Sequence, residues 1–338
     1  MSSAVIFGGT GFIGSFFARH LVEGALYEKV YLFDHESASV KNSVFRRRML
    51  AAYPNIFEID GDVREPIDWA PSEAIALVAN FAAVHREPGH ERYEYYDCNL
   101  QGAENVCDWA ERVDCNTIIF SSSIAPYGPS EEPKNERSIP NPATAYGGSK
   151  LAAEKIHQIW QGKGKQRQLV IARPGVVFGP GEGGNVSRLV RAVRKHYFFY
   201  MSNRNTRKAG IYVKELCRAM MWVVNSERAK TEGVSVVNMS MNPGPSIQEY
   251  VNSICRTAKI RPWIPNVPSW ILLMVALFIS LIAKPLRLKH PFSPVRIRKL
   301  IRSNNIQPSY LIEKGYCFKY SLDEAFADWK KDCPEEWR

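Results

Sequence analysis

Short apolar runs alternate with stretches of helical period along the first half of the chain. Ala4-Val5-Ile6-Phe7 is a continuous apolar run. Phe16, Phe17, Ala18, Leu21 and Val22 then recur at helical spacing, and Val30-Tyr31-Leu32-Phe33 is a second run, closed by Asp34. Runs of this length, apolar on both faces, predict strands of a parallel sheet, and the 3.6-residue period between them predicts a crossover helix. The pattern continues with a third strand before Gly61-Asp62-Val63-Arg64 and a fourth before Asn80-Phe81-Ala82-Ala83. Tyr95-Tyr96-Asp97-Cys98-Asn99 leads into a helix, and Thr117-Ile118-Ile119-Phe120 forms a further strand. Alternation through about residue 175 implies an α/β fold with a doubly wound parallel sheet. Gly233-Val234-Ser235-Val236-Val237-Asn238 reads as a late strand returning to it. The expected organisation is a dinucleotide-binding domain over 1–175, rejoined by 211–241. A smaller, mostly helical substrate lobe would comprise 176–210 and 242–338. With 338 residues, 45% of them hydrophobic, the chain can bury a core for both.

The first turn carries a nucleotide signature. Gly8-Gly9-Thr10-Gly11-Phe12-Ile13-Gly14 follows the first strand and opens the first helix. Glycines at 8, 11 and 14 permit a tight turn, close approach of backbone to a pyrophosphate, and close helix–strand packing, as in the Rossmann fold. The helix N-terminus faces the phosphates. Asp34, at the end of the second strand, stands where a carboxylate accepts bonds from the adenosine ribose, which favours NAD over NADP. Arg46-Arg47-Arg48 keeps NADP open, although such a run also reads as a solvated helix face.

The chemistry-bearing residues follow the fifth strand. Ser121-Ser122-Ser123 ends it, and Tyr146-Gly147-Gly148-Ser149-Lys150 comes later. Tyr146 and Lys150 share one face of a helix. An ammonium beside a phenol is expected to lower the tyrosine pKa from about 10 and make it a base near neutrality. Ser123 can hold the same substrate oxygen. Proton transfer at an alcohol hydroxyl, coupled to hydride transfer at its carbon, needs this set.

Together these motifs, with Tyr127-Gly128 and Arg173-Pro174-Gly175-Val176-Val177-Phe178-Gly179, resemble the extended short-chain dehydrogenase/reductase (NAD-dependent epimerase/dehydratase) family over most of the chain. The resemblance implies Ser123, Tyr146 and Lys150 as the catalytic trio. It implies cofactor contacts from Gly8, Gly11, Phe12, Ile13, Gly14, Asp34, Asp62, Val63, Ala82, Ala83, Asn99 and Lys150. Dehydratases of the family carry Asp-Glu where this chain has Ile124-Ala125, so elimination of water lacks its acid.

A closer resemblance within the family is to bacterial epimerases acting on N-acetylglucosamine linked to undecaprenyl diphosphate. It rests on Ala82-Ala83-Val84-His85-Arg86-Glu87, Gly183-Gly184-Asn185-Val186-Ser187 and Pro291-Phe292-Ser293-Pro294-Val295-Arg296. It implies interconversion of GlcNAc and GalNAc on a lipid carrier for surface-polysaccharide (O-antigen) assembly. The implied substrate contacts are His85, Ser123, Tyr146, Asn185, Arg188 and Lys208. Related proteins acting on UDP-sugars, as 4-epimerases or 4-keto-reductases, share much of this pattern. Val176 stands where soluble UDP-sugar epimerases often have Asn, and Lys208 where they often have Arg, so their usual UDP contacts are altered. Arg188, Arg191 and Arg194 also read as a solvated helix face. Two further readings are a hydroxysteroid-type dehydrogenase, which requires a dry pocket without cations, and a non-catalytic NAD-binding regulator, which usually lacks the Tyr or Lys.

Charge adds a location. The formal net charge is +10, and Tyr250 to Ile312 contains no Asp or Glu but ten basic residues. Within the apolar and basic segment 263–302, Trp270 to Ala283 is almost continuously apolar, yet too short to span a bilayer. It is either a buried helix of the substrate lobe or a segment dipping into one leaflet, with Trp263 and Trp270 at the interface and cations on anionic headgroups. The expected partners are a sugar diphosphate, an inner-leaflet membrane surface and a second copy of the chain. Nucleic acid is excluded for want of a recognised module. Seven cysteines without C-x-x-C spacing read as reduced thiols, and no metal-ligand cluster appears. A strand beginning by residue 4 leaves no room for a signal peptide, so the expected location is cytoplasmic and peripherally membrane-associated.

Overall fold

The computed structural model describes residues 2–35, 43–87, 89–226, 231–268, 270–274, 277 and 302–338. Seven parallel strands form the central sheet: β1 (Ser3–Phe7), β2 (Lys29–Asp34), β3 (Ile56–Asp60), β4 (Ile75–Asn80), β5 (Thr117–Ser121), β7 (Gln168–Pro174) and β11 (Val234–Met239). Their order is β11-β7-β5-β4-β1-β2-β3. The chain thus begins in the middle, winds to β3, returns to β4 beside β1, and winds the other way. β1 and β7 are buried at every position because helices cover both faces, whereas the edge strand β3 is largely open. This is the α/β doubly wound sheet that the apolar runs predict, and the 233–238 run enters it as β11, paired with β7.

Five helices matter for the site. α1 (Phe12–Glu23) opens at Gly11. α2 (Val44–Ala51) is capped by Ser43, whose hydroxyl accepts from the Arg46 amide. α3 (Arg92–Arg112) starts with a Glu91/Glu94 capping box, so Tyr95–Asn99 lies within the helix rather than ahead of it. α4 (Ala145–Gly162) is capped by Thr144, which accepts from the Gly147 amide at 3.1 Å. α5 (Asn185–Arg194) begins after Gly184.

Three short parallel pairs lie outside the main sheet: β6 (Ser130–Lys134) with β13 (Asn304–Ile306), β8 (Val176–Phe178) with β10 (Gly210–Tyr212), and β9 (Tyr200–Met201) with β12 (Asn266–Val267). α6 (Val213–Asn225), α7 (Ile247–Ala258), α8 (Ser309–Glu313) and α9 (Leu322–Asp332) complete the described helices of eight or more residues together with one short turn of helix. Phe178 is the hub of the C-terminal packing. Its ring lies 5.8 Å from Tyr212 and Tyr250, 5.5 Å from Phe326 and 6.5 Å from Trp329. That cluster is continuous with the β1 and β4 core, so the C-terminal helices close on the same hydrophobic interior as the sheet.

Most of the 263–302 segment, including Phe278, Pro291–Arg296 and the basic residues 284–299, lies outside the described residues. Within its described part, Trp263 is 86% exposed, Trp270 67%, Met274 61% and Leu277 50%, while Ile271, Leu272 and Leu273 are half-buried. A fully buried helix is not what these residues form.

Candidate active site

The winding of the sheet reverses between β1 and β4, and that crevice is where ligands bind in open α/β sheets. The turn after β1 fits a pyrophosphate there. Gly8 has φ +73°, and a Cβ on it would come within 2.7 Å of the Ala82 amide nitrogen on the neighbouring strand's exit. A Cβ on Gly14 would meet the Gly8 carbonyl oxygen at 2.4 Å. Only glycines keep the turn, α1 and the 82–83 segment this close. At the end of β2, Asp34 accepts from the Thr10 amide at 3.0 Å and the Thr10 hydroxyl at 2.6 Å, and its other oxygen accepts from the His35 amide at 2.9 Å. A carboxylate has about four lone-pair sites, so Asp34 keeps acceptor capacity for ribose hydroxyls while locked to the glycine turn. Asp62 beyond β3 is held by Arg64, whose Nε donates to both of its oxygens at 3.0 and 2.9 Å, and that guanidinium hydrogen bond keeps its carboxyl below the usual range. Val63 is buried and closes against Gly102. These residues fit NAD, with Asp34 on the ribose side and Asp62 further along the strand ends.

Asn99, an expected cofactor contact, is 4% exposed and bonded within the protein. Its Oδ1 accepts from the Val84 amide at 2.9 Å, and its Nδ2 donates to the Val84 carbonyl at 3.2 Å and to Ser149 Oγ at 2.9 Å. Ser149 Oγ in turn donates to the Tyr146 carbonyl at 2.9 Å. Asn99 therefore braces the 82–85 segment against the helix that carries Tyr146 and Lys150.

The structure brings Ser123, Tyr146 and Lys150 together. Past β5, the Ser122 amide donates to the Ala172 carbonyl at 2.7 Å and the Ile124 amide to the Pro174 carbonyl at 3.1 Å, so the serine run stays tied to β7. Ser123 Oγ accepts from the Ala125 amide at 3.1 Å and hydrogen-bonds the Tyr146 phenol. The helix reaches the serine because Gly147 lies on the 125–127 turn, where a Cβ would meet the Ala125 carbonyl oxygen at 2.7 Å. Gly148 likewise admits the Tyr96 hydroxyl. Lys150 is 2% exposed, with Nζ 4.6 Å from the centre of the Phe120 ring. Phe120 stacks on His157 with ring centres 4.0 Å apart. Burial of its ring, and after it the charges of Arg86 and Lys150, hold the His85 imidazole below the usual range, although the residue as a whole is exposed.

One expectation is corrected. Lys150 does not lower the Tyr146 pKa here. Burial pushes Tyr146 up to about 12, opposed only by the Ser123 hydrogen bond, while Glu87 and Tyr95 push it further up. Burial lowers Lys150 to about 8, and Cys98 and Glu154 pull back the other way. Withdrawal from water penalises phenolate and ammonium alike, and neither group's shift carries a contribution from the other.

The remaining expected substrate residues lie on other elements. Asn185 opens α5 and is exposed, and Arg188 one turn on donates through Nε to the Gly184 carbonyl at 3.0 Å. Lys208, before β10, donates from Nζ to the Arg302 carbonyl and faces Glu131. Sequence reasoning did not single out Glu154, Arg173's ion pair, Ser149 or His157. Glu154 had a signal, since it continues the Tyr146–Lys150 face by one turn.

A doubly wound sheet with a glycine-turn nucleotide site and a Ser-Tyr-Lys constellation at its switch point defines a nucleotide-dependent enzyme acting at an alcohol or carbonyl carbon. Residues 4–239 match the NAD dependent epimerase/dehydratase family, and the chain belongs to that family and takes NAD as its cofactor. It is 26% identical, over 96% of its length and 92% of the relative's, to N-acetyl-alpha-D-glucosaminyl-diphospho-ditrans,octacis-undecaprenol 4-epimerase of Escherichia coli O157:H7. It is 25% identical to UDP-glucose 4-epimerase 3 of Oryza sativa subsp. japonica, over 59% of this chain and 56% of that one. The UDP-glucuronic acid 4-epimerase from Bacillus cereus, solved in complex with NAD, shares the fold with a TM-score of 0.74 at 15% identity, covering 99% of this chain and 100% of its own. Among the described residues no helix is long and apolar enough to cross a membrane.

Proposed function

We propose that the chain catalyses NAD-dependent C4 epimerisation of a diphosphate-activated N-acetylhexosamine of the GlcNAc/GalNAc type, carried on undecaprenyl diphosphate, in bacterial surface-polysaccharide assembly. The observation that carries this reading is the contact of Ser123 with the Tyr146 phenol beside the buried Lys150, at the switch point of the sheet. The full-length match to the undecaprenol-linked 4-epimerase supports the carrier.

Bound NAD supplies a hydride acceptor and donor. The protein's own residues handle the C4 oxygen. Ser123 holds that oxygen through its hydroxyl, and Tyr146 takes and returns its proton. Lys150 places a positive charge beneath the phenol's helix. Ile124 is buried and Ala125 starts the following turn, so neither of the two positions after Ser123 supplies an acid to expel water. The elements over 176–210 and 242–338 form the substrate lobe in this reading, with His85, Asn185, Arg188 and Lys208 toward the diphosphate-sugar. Trp263, Trp270, Met274 and Leu277 are exposed, and Arg256, Lys259 and Arg261 precede them in the chain. Such a combination suits an anionic membrane surface, where a lipid-linked sugar resides. The protein would then be cytoplasmic and peripherally membrane-bound.

Purified protein incubated with NAD and either UDP-GlcNAc or undecaprenyl-diphosphate GlcNAc tests carrier and reaction together. Turnover to the C4 epimer of the lipid-linked sugar, and little of the UDP-sugar, is the expected result. Turnover confined to the UDP-sugar rejects the lipid carrier, and product that appears only when reduced cofactor is supplied rejects epimerisation in favour of reduction.

A further inference from the structure

Glu154 is a carboxylate only 1% exposed, and proton handling at C4 makes no use of it. It lies one turn beyond Lys150 and two beyond Tyr146, on the same face of α4. Three donors converge on it. The Ser122 hydroxyl and Arg173 Nε, the latter at 2.8 Å, donate to Oε1, and Arg173 Nη2 donates to Oε2 at 2.6 Å. Arg173, 5% exposed on β7, also donates from Nη1 to the Tyr127 hydroxyl at 2.7 Å, with its guanidinium carbon 4.8 Å from the centre of that ring. The Tyr127 hydroxyl donates to Asn238 Oδ1 at 2.9 Å, and Asn238 Nδ2 donates to the Gln307 carbonyl at 3.0 Å. An unbroken polar chain therefore runs from the residue next to Ser123, through the helix of Tyr146 and Lys150, to the segment after β13. Buried ion pairs are a poor source of stability compared with apolar residues of the same volume. This one is worth its burial if it sets geometry.

We propose that Glu154 is a positioning residue, whose carboxylate holds the serine strand and the lysine helix in register and, through Arg173 and Tyr127, ties both to the C-terminal segment. The inference rests on the catalytic reading above. It has an electrostatic consequence. The charged and titratable groups facing Lys150 are Cys98 from α3, His85 from the segment after β4, and Glu154 and His157 on its own helix, with Arg173 behind Glu154. Of these, Cys98 and then Glu154 favour the ammonium against the burial that disfavours it. Removing the charge of Glu154 lets Lys150 lose its proton at lower pH.

Two variants test this. Glu154→Gln keeps the shape and an acceptor for Arg173. Its pH–rate profile should lose activity on the alkaline side about one pH unit lower than wild type. Acylation of Lys150 by an amine reagent in cofactor-free protein, followed by mass spectrometry, should begin at correspondingly lower pH. Ser122→Ala leaves the ion pair intact and should lower kcat about tenfold through a displaced Ser123, with KM and the alkaline limb unchanged. A folded Glu154→Gln protein with wild-type rate profile and wild-type Lys150 reactivity overturns the proposal. If Glu154→Gln does not fold, Ser122→Ala with wild-type kcat overturns it. Full turnover in Tyr146→Phe overturns instead the catalytic reading, and the acylation profile still reports on Glu154 in that case.

Discussion

Burial penalises a phenolate and an ammonium in the same currency, and Tyr146 and Lys150 both feel it. With Tyr146 raised to about 12 and Lys150 lowered to about 8, the pair at neutral pH is a protonated phenol beside a charged lysine. Lys150 keeps its charge below pH 8 and loses it above, so turnover should decline as pH rises through that value. Tyr146→Phe should lower turnover by about 10² or more, the loss expected for a general acid/base, while NAD content stays unchanged. Steady-state kinetics with a cofactor assay checks both halves. At the other end of the crevice, Asp34→Ala removes the partner of Thr10 and, in the proposed reading, the ribose acceptor. It should weaken NAD about tenfold and NADP less, since a 2′-phosphate meets repulsion from the native carboxylate. Titration calorimetry with both cofactors measures the difference. A wild-type preference for NADP would overturn the assignment and turn attention to Arg46–Arg48. Of these, Arg46 is buried on α2, and burial lowers the proton affinity of its guanidinium against the opposing pull of Asp34 and Glu336.

At the scale of elements, the catalytic helix is anchored through His157. Its imidazole is fully buried, stacks on Phe120, bonds the Ala153 carbonyl through Nδ1 at 2.8 Å and meets Asn80 Nδ2 through Nε2 at 3.2 Å. Nδ1 is thus the donor and Nε2 the acceptor, which fixes a neutral tautomer. Burial holds its pKa down at about 4, against 6.5 for the free side chain. A folded value below the unfolded one means that the stability is present above pH 6.5 and is lost as pH falls toward 4, because the unfolded chain takes up the proton first. The loss should approach about 3 kcal/mol at the acid end. Urea melts between pH 7 and pH 4 should record it. In His157→Gln that portion of the pH dependence should vanish, at the cost of a lower stability near pH 7.

At the scale of the whole molecule, Trp263, Trp270 and Leu277 present apolar surface to solvent in a stretch of sequence that carries basic and no acidic residues. Trp263, Trp270 and Leu277 are each half or more exposed, so replacing all three with Ser should leave the thermal melt within a few degrees of wild type. The same change should abolish flotation with anionic vesicles, and wild-type flotation should weaken as salt rises. A wild-type protein that never floats at low salt would remove the membrane reading, and unfolding of the triple variant would assign these residues to the core instead.

The sequence by itself determined the sheet, the nucleotide turn and the placement of Tyr146 and Lys150 on one helix face. Those features are local. Parallel strands buried on both faces must be apolar throughout, a pyrophosphate turn requires glycine at fixed spacing, and a helix brings residues four apart onto one face. Tertiary structure decided what depends on which surfaces meet. Asn99 reads as a cofactor contact through its motif, and only folding shows that its amide also bonds Val84 and Ser149. Tyr146 and Lys150 are adjacent in either view, but only the packed pocket reveals that desolvation governs their proton affinities. Glu154 and Arg173 are ordinary charged residues in the sequence, and they become a buried pair only because α4 lies across β5 and β7. Spacing along a chain fixes periodicity and turn geometry. Burial, and with it the strength of every charge, belongs to the assembled fold.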